Sequence, residues 1–387
     1  MATVGSSGTV PSFVTLLREW GRIGCIGFGG PPTHIRLLRR LCVEQRGWMD
    51  ADHFEDAVAT CNLLPGPAST QLAIFCAWRL RRWRGALVGG AAFILPGLAA
   101  ILVLSALFLA SAPPRWVLGA AAGAGAAVAA VAVQAAASLL PDSWRRRVSR
   151  WRFGAYLMAG AVAAATLGPW LVLVLLACGV IELAARHDGT GPVAGMVPLP
   201  LLASGAAATG GLLALCWVAI KVGALSYGGG FVIIPLMQSD AVHHYHWMTD
   251  GQFLNAVALG QITPGPVVQT VAVVGYAAAG VGGGLLAALI AFSPSFAFVL
   301  GGARHFEAIR QNPRARAFLG GAGPAAIGAI FGTAIPLTRA LDQPWQYGVL
   351  AGAAVLLLAL RRGVVVTLLL AGLTGTLVAI AGGPLPH

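Results

Sequence analysis

Two short stretches hold residues whose types and spacing suit chemistry. Asn62-Leu63-Leu64-Pro65-Gly66-Pro67 is followed by Ser69, Thr70 and Gln71, and Gln261-Ile262-Thr263-Pro264-Gly265-Pro266 is followed by Gln269 and Thr270. Proline inside a helix removes a backbone hydrogen bond and clashes with the preceding turn, so each stretch predicts a break. Pro67 and Pro266 can each start a new helix, because the missing N–H is one that has no intrahelical partner there. The remaining free N–H groups and the aligned peptide dipoles make such a start attractive to anions. The flanking amides and hydroxyls are neutral hydrogen-bonding groups that can hold a many-oxygened ligand without a permanent counter-charge. Taken singly, each could be satisfied by backbone or by a neighbouring helix. As a paired set, Asn62, Pro65, Gly66, Pro67, Ser69 and Gln71 with Gln261, Thr263, Pro264, Gly265 and Pro266 predict an anion site.

A second pair of interruptions precedes them, Gly27-Phe28-Gly29-Gly30-Pro31-Pro32 and Ser226-Tyr227-Gly228-Gly229-Gly230. Successive glycines can build an anion-binding nest or serve close helix packing, and Gly29, Gly30, Gly228 and Gly229 join the candidate site on the first reading. Arg22 and Lys221, the chain's only lysine, each precede these glycines inside apolar sequence. A cation at such depth faces a cavity or a partner. The expected role is to counter ligand charge, and the alternative is an ion pair with Glu19 or Glu182, or snorkelling to the surface. His34 and Asp56 are candidates for carrying a proton, with a structural histidine and a pairing with the Arg36–Arg40 cluster as the alternatives. His243, His244 and His246 lack a fourth ligand and read as a solvated loop, so no metal site is expected. The six cysteines have no CxxC spacing and read as reduced core residues; no cofactor is implied.

The elements that must position these residues are membrane helices. Of 387 residues 57% are hydrophobic and 10% charged, with a mean hydropathy of +0.79, which excludes an ordinary water-soluble domain. Apolar runs near membrane-spanning length fall at residues 85–109, 117–140, 283–300, 318–337 and 364–380. No cleaved signal peptide is expected. The net charge of +12 is nearly all arginine in short clusters between apolar runs, which reads as topology signal and not as a nucleic-acid face.

The second half repeats the first at a constant shift of 199 residues, placing Gly24 on Gly223, Phe28 on Tyr227, Trp48 on Trp247, Phe54 on Phe253 and Pro65-Gly66-Pro67 on Pro264-Gly265-Pro266. The same shift matches Gly85 with Gly284 and Phe93 with Phe292. Two homologous transmembrane units follow, residues 1–190 and 191–387, joined through the Gly- and Pro-rich stretch 187–200. Arg79, Arg81, Arg82 and Arg84 follow the first Pro-Gly-Pro, whereas residues 276–284 carry no charge. By the positive-inside rule the halves are expected to be inverted, with about five crossings each plus a re-entrant or broken helix at Pro-Gly-Pro. A single kinked helix at each site is the alternative. Inversion puts the arginine clusters in the cytoplasm and residues 240–250 outside, with both termini external.

These pieces resemble the chromate ion transporter family in its long-chain, two-repeat form: Gly27-Phe-Gly-Gly-Pro with His34, Leu63-Leu-Pro-Gly-Pro with Ser69 and Gln71, Tyr227-Gly-Gly-Gly, and Gln261-Ile-Thr-Pro-Gly-Pro-Val267. The similarity spans nearly the whole chain; Thr33, where a smaller residue is common, is a slight departure. The resemblance implies a secondary transporter exporting chromate across the bacterial inner membrane, driven by the proton-motive force and conferring resistance, with sulfate as an isosteric competitor. Rival expectations are uptake or exchange of sulfate or another oxyanion, an anion channel, and a membrane-embedded enzyme. Against the enzyme, no dinucleotide fingerprint, His-Glu-x-x-His or nucleophile elbow is found. The implied partners are the oxyanion, protons and the bilayer, and a homo-oligomer is compatible with the sequence.

Overall fold

The computed structural model describes residues 10–386 apart from residues 63, 65, 111, 146, 148, 168–169, 187–210, 227–229 and 303–311. Every regular element among the described residues is helical. The first half runs α1 (Phe13–Ile26), α2 (Pro31–Arg39) with a π-helical end (Arg40–Gln45), α3 (Ala51–Cys61), α4 (Ala68–Phe108), α5 (Arg115–Ala126), α6 (Val128–Arg145), α7 (Arg150–Thr166) and α8 (Leu171–Ala185). The second runs α9 (Leu212–Leu225), α10 (Ile233–Gln238) with a π-helical end (Ser239–His244), α11 (Asp250–Ile262), a 3₁₀ turn (Val267–Gln269), α12 (Thr270–Gly302), α13 (Pro313–Arg339), α14 (Pro344–Ala354) and α15 (Val364–Ile380).

Among the described residues, four stretches are long and apolar enough to cross a membrane: Ala68–Phe108, Arg115–Arg145, Val267–Gly302 and Pro313–Arg339. Val14, Val103, Leu213, Leu289 and Ile380 are each about 70% exposed or more. Large apolar side chains turned outward on this scale belong against lipid. Inside, helices meet through small residues. A Cβ on Gly119 would lie 2.4 Å from the Gly375 carbonyl oxygen, which joins α5 to α15. Gly160 and Gly328 bring α7 and α13 together in the same way, and Gly321 brings α13 against Cys178 of α8. Without a hydrophobic drive between helices in lipid, this close backbone contact supplies the packing.

Local geometry recurs in the two halves. Trp48 N–H donates to the Cys42 carbonyl at 2.7 Å, and Trp247 N–H to Ala241 at 2.8 Å, closing the two π-helical ends alike. Both long helices bend sharply, α4 at Arg81 (φ −137°) and Arg82 (φ 54°), α12 at Ala279 (φ −153°) and Gly280 (φ 63°). Those bends correct the register read from sequence, because they differ by 198 residues, not 199. Gly24 meets the Phe93 carbonyl as Gly223 meets that of Ala291, and Gly85 lies over Ala77 as Gly283 lies over Gly275. Gly85 therefore answers to Gly283 and Phe93 to Ala291. One residue is lost where the 3₁₀ turn Val267–Gln269 replaces the first turn of α4.

Candidate functional site

At the first break, α3 ends with Asn62 N–H on the Val58 carbonyl (3.0 Å), and α4 starts after Pro67, whose carbonyl accepts from Gln71 N–H at 3.0 Å. Between them Gly66 has φ 116°, and its counterpart Gly265 has φ 110°, left-handed backbone that only glycine adopts without strain. A Cβ on Gly66 would lie 2.6 Å from Gln71 Nε2, 3.3 Å from Ser295 Oγ and 3.5 Å from the Gly223 carbonyl oxygen. On Gly265 it would lie 2.9 Å from Gln269 Oε1. Each break is thus covered by a glutamine from the helical turn that follows it. Gln269 Nε2 donates to the Ile94 carbonyl of α4 at 2.8 Å; this turns Oε1 toward Gly265 and Gly97.

One imidazole ties the two breaks together. The Gly27 carbonyl accepts from His34 Nε2 at 2.8 Å and from Gly265 N–H at 3.0 Å. His34 Nδ1 meets Ser69 Oγ, in the first turn of α4, at 3.2 Å. A carbonyl only accepts, so Nε2 carries the hydrogen. His34 is fully buried and sits edge-on to Phe93, with ring centroids 5.0 Å apart. No side chain fits at Gly27, where a Cβ would lie 2.8 Å from the His34 ring.

Around these breaks Thr70 Oγ1, Ser226 Oγ, Gln261 Nε2, Gln269 Oε1 and Ser295 Oγ are buried without a hydrogen-bond partner among the described residues. An unmet buried polar group costs about 1–3 kcal/mol, so several in one neighbourhood call for a ligand or water. Ser226 lies 3.6 Å from a Cβ built on Gly230, beside Val267 of the second break. Thr263 and Thr270 differ, since their hydroxyls donate to the Leu259 and Val267 carbonyls at 2.8 Å.

Other predicted residues fall elsewhere. Asn62 is exposed on a cleft of about 160 Å³ that also takes Cys61 and Gly66, Asp142 and Ser143 of α6, and Ile327 of α13. Gly29 (φ 95°) and Gly30 (φ 74°) lead into α2, and the Gly30 carbonyl accepts from His34 N–H at 3.2 Å. Arg22 is exposed on α1 and makes no ion pair among the described residues. Lys221 has a partner, but not either one expected: Nζ lies 2.6 Å from Asp240 Oδ2, with side chains 18% and 10% exposed, and 5.7 Å from the Trp217 ring centre. Glu19 pairs with Arg46, and Glu182 with Arg152 and Arg186. Asp240 stands at the repeat position of Leu41, so symmetry could not suggest it. Asp56 is half-buried on α3, and His243, His244 and His246 are exposed. Pro65, Gly228, Gly229 and the stretch 187–200 lie outside the described residues. Sequence reasoning missed Ser295 and Gly97. The signal was there in Pro96-Gly97 against Pro294-Ser295, which match at the corrected shift of 198.

Known proteins resemble this chain over nearly its whole length. The chain is 32% identical to a chromate transport protein of Cupriavidus metallidurans, over 99% of this chain and 97% of that protein. It is 29% identical to a chromate transport protein of Pseudomonas aeruginosa, over 97% and 96% of the two chains. A probable chromate transport protein of Synechococcus elongatus is 28% identical over 85% of each. No solved structure matches the chain. The sequence model described as Chromate transporter matches residues 14–183 and 213–376, which takes in both breaks; this polytopic membrane protein belongs to the chromate transporter family.

Proposed function

We propose that the chain is a secondary transporter that exports chromate across the bacterial inner membrane, driven by the proton-motive force, and that the ion rests between the two broken helices. The observation that carries this reading is the set of buried, unpartnered hydroxyl and amide atoms around Gly66 and Gly265. A dianion stripped of water is prohibitive in hydrocarbon. Two helix starts, with Thr70, Ser226, Gln261 and Ser295 as hydrogen-bonding groups, can replace that water. Of the two candidate counter-charges, Arg22 is exposed on α1 outside this set, and the charge of Lys221 is already shared with Asp240.

In this proposal residues 1–190 and 191–387 are inverted repeats of about five crossings, each with a re-entrant break, and they rock about the shared site. His34, between the breaks, and Asp56 are the candidate proton carriers, and sulfate competes as an isosteric dianion. The test uses inverted vesicles with an imposed proton gradient, measuring labelled chromate and sulfate accumulation for wild type, Arg22→Ala and Lys221→Ala. Accumulation of chromate against its gradient supports a coupled exporter. Equilibration without accumulation indicates a channel, and net flux the other way an uptake carrier. If properly inserted Arg22→Ala and Lys221→Ala transport as wild type does, neither cation counters the ion. Inversion is checked separately with Trp83→Cys and Val281→Cys: labelling of both from one side removes it.

A further inference from the structure

At the far end of the half-helix that leaves the first break, α4 turns through an arginine in left-handed backbone, Arg82 (φ 54°), where α12 makes the same turn with Gly280 (φ 63°). That conformation strains any side chain and suits glycine. The arginines here are held by aromatic rings. Arg81 Nε donates to the Pro11 carbonyl at 2.7 Å and its guanidinium lies 5.0 Å over the Phe13 ring. Arg82 lies 5.2 Å over Trp78, and Arg84 5.2 Å over Trp83. Among the described residues none of the three has a carboxylate within ion-pair distance, whereas Arg39, Arg46, Arg152 and Arg186 all do. Trp83 is 57% exposed; Leu87 follows it by one turn on α4, and Val14 and Leu17 follow Phe13, the ring under Arg81, on α1, all three outward apolar side chains.

We infer that this corner binds an anionic phospholipid: Arg82 and Arg84 hold the phosphate, Trp83 sits at headgroup depth, and the acyl chains run along Val14, Leu17 and Leu87. Stacking pre-orders the guanidinium planes, which suits the forked geometry of a phosphate. A free anion would be served by charge alone and would gain nothing from the exposed tryptophan and leucines, whereas tryptophan beside cations at the edge of an apolar surface matches a lipid headgroup. The inference requires that the chain lie in a bilayer, and it is independent of which ion is carried.

The full chain is reconstituted with phosphatidylcholine and phosphatidylglycerol, and retention of each lipid is read by native mass spectrometry. Each arginine near the headgroups is worth about fivefold in binding, so R82A/R84A should lower phosphatidylglycerol retention about 25-fold relative to phosphatidylcholine. The equal charge loss of R314A/R316A, at an exposed pair without ring contacts among the described residues, should leave retention unchanged. R82G relieves the strained turn, so it should unfold no earlier than wild type in pure phosphatidylcholine yet bind phosphatidylglycerol about fivefold less. Equal losses in R82A/R84A and R314A/R316A, undiminished retention in R82G, or displacement of the lipid by soluble glycerol phosphate at comparable concentration would each overturn the proposal.

Discussion

Gly97→Ala tests whether α4 must lie directly against the second break. A Cβ there would stand 1.9 Å from the Pro264 carbonyl oxygen and 2.5 Å from Gln269 Oε1. Carbon and carbonyl oxygen pack no closer than about 3.3 Å, so backbone has to retreat by roughly 1.4 Å. Neither neighbour can swing away cheaply: Pro264 presents main chain, and Gln269 is anchored on Ile94. Overpacking of this kind costs about 1–3 kcal/mol in stability. A displacement near 1 Å at a site that positions a ligand costs up to about a hundredfold in rate. Gly154→Ala in α7 is the matched control, because nothing lies within 4 Å of its added Cβ and a helical alanine should gain about 0.5–1 kcal/mol over glycine. Thermal unfolding in detergent and initial chromate flux in vesicles, at equal insertion, are the two readouts. Gly97→Ala should melt lower and lose at least tenfold in flux, with Gly154→Ala unharmed. Wild-type melting and flux in Gly97→Ala would refute the close approach.

Thr70→Val and Ser295→Ala each remove an unpartnered buried hydroxyl, so apo stability should hold or rise by about 1 kcal/mol while chromate affinity falls; thermal shifts with and without chromate separate the two effects. His34→Ala strips partners from Ser69 and Gly27 and should lower stability by about 1–3 kcal/mol and flux more steeply than any exposed-histidine variant such as His246→Ala, as vesicle flux and melting would register. Lys221→Met leaves the Asp240 carboxylate unpaired at 10% exposure and should cost about 3 kcal/mol. Adding Asp240→Leu should recover most of that loss in denaturant unfolding.

The breaks were legible because proline and glycine interrupt helices for local reasons, and both appear where Pro-Gly-Pro put them. The apolar runs were legible for a similar reason, since composition alone places them in α4, α5 with α6, α12, α13 and α15. What lies across from a break is a tertiary fact. Ser295 and Gly97 come from helices that begin after the breaks, and a one-residue change of register among small apolar residues hid their correspondence. The partner of Lys221 stayed hidden because Asp240 has leucine for its repeat mate, and the link through His34 because isoleucine, Ile233, stands at its place in the second half. Symmetry finds shared features and is blind to those that one half alone carries.

The central claim is that the oxyanion lies between the two interrupted helices. Chromium anomalous scattering from chromate-soaked crystals locates the ion directly. The account predicts a peak within hydrogen-bonding reach of Thr70 and Ser295, between Gly66 and Gly265, that weakens in Ser295→Ala crystals. Chromium bound only beside Arg22 or in the cleft at Asn62, with the space between the glycines empty, would contradict it.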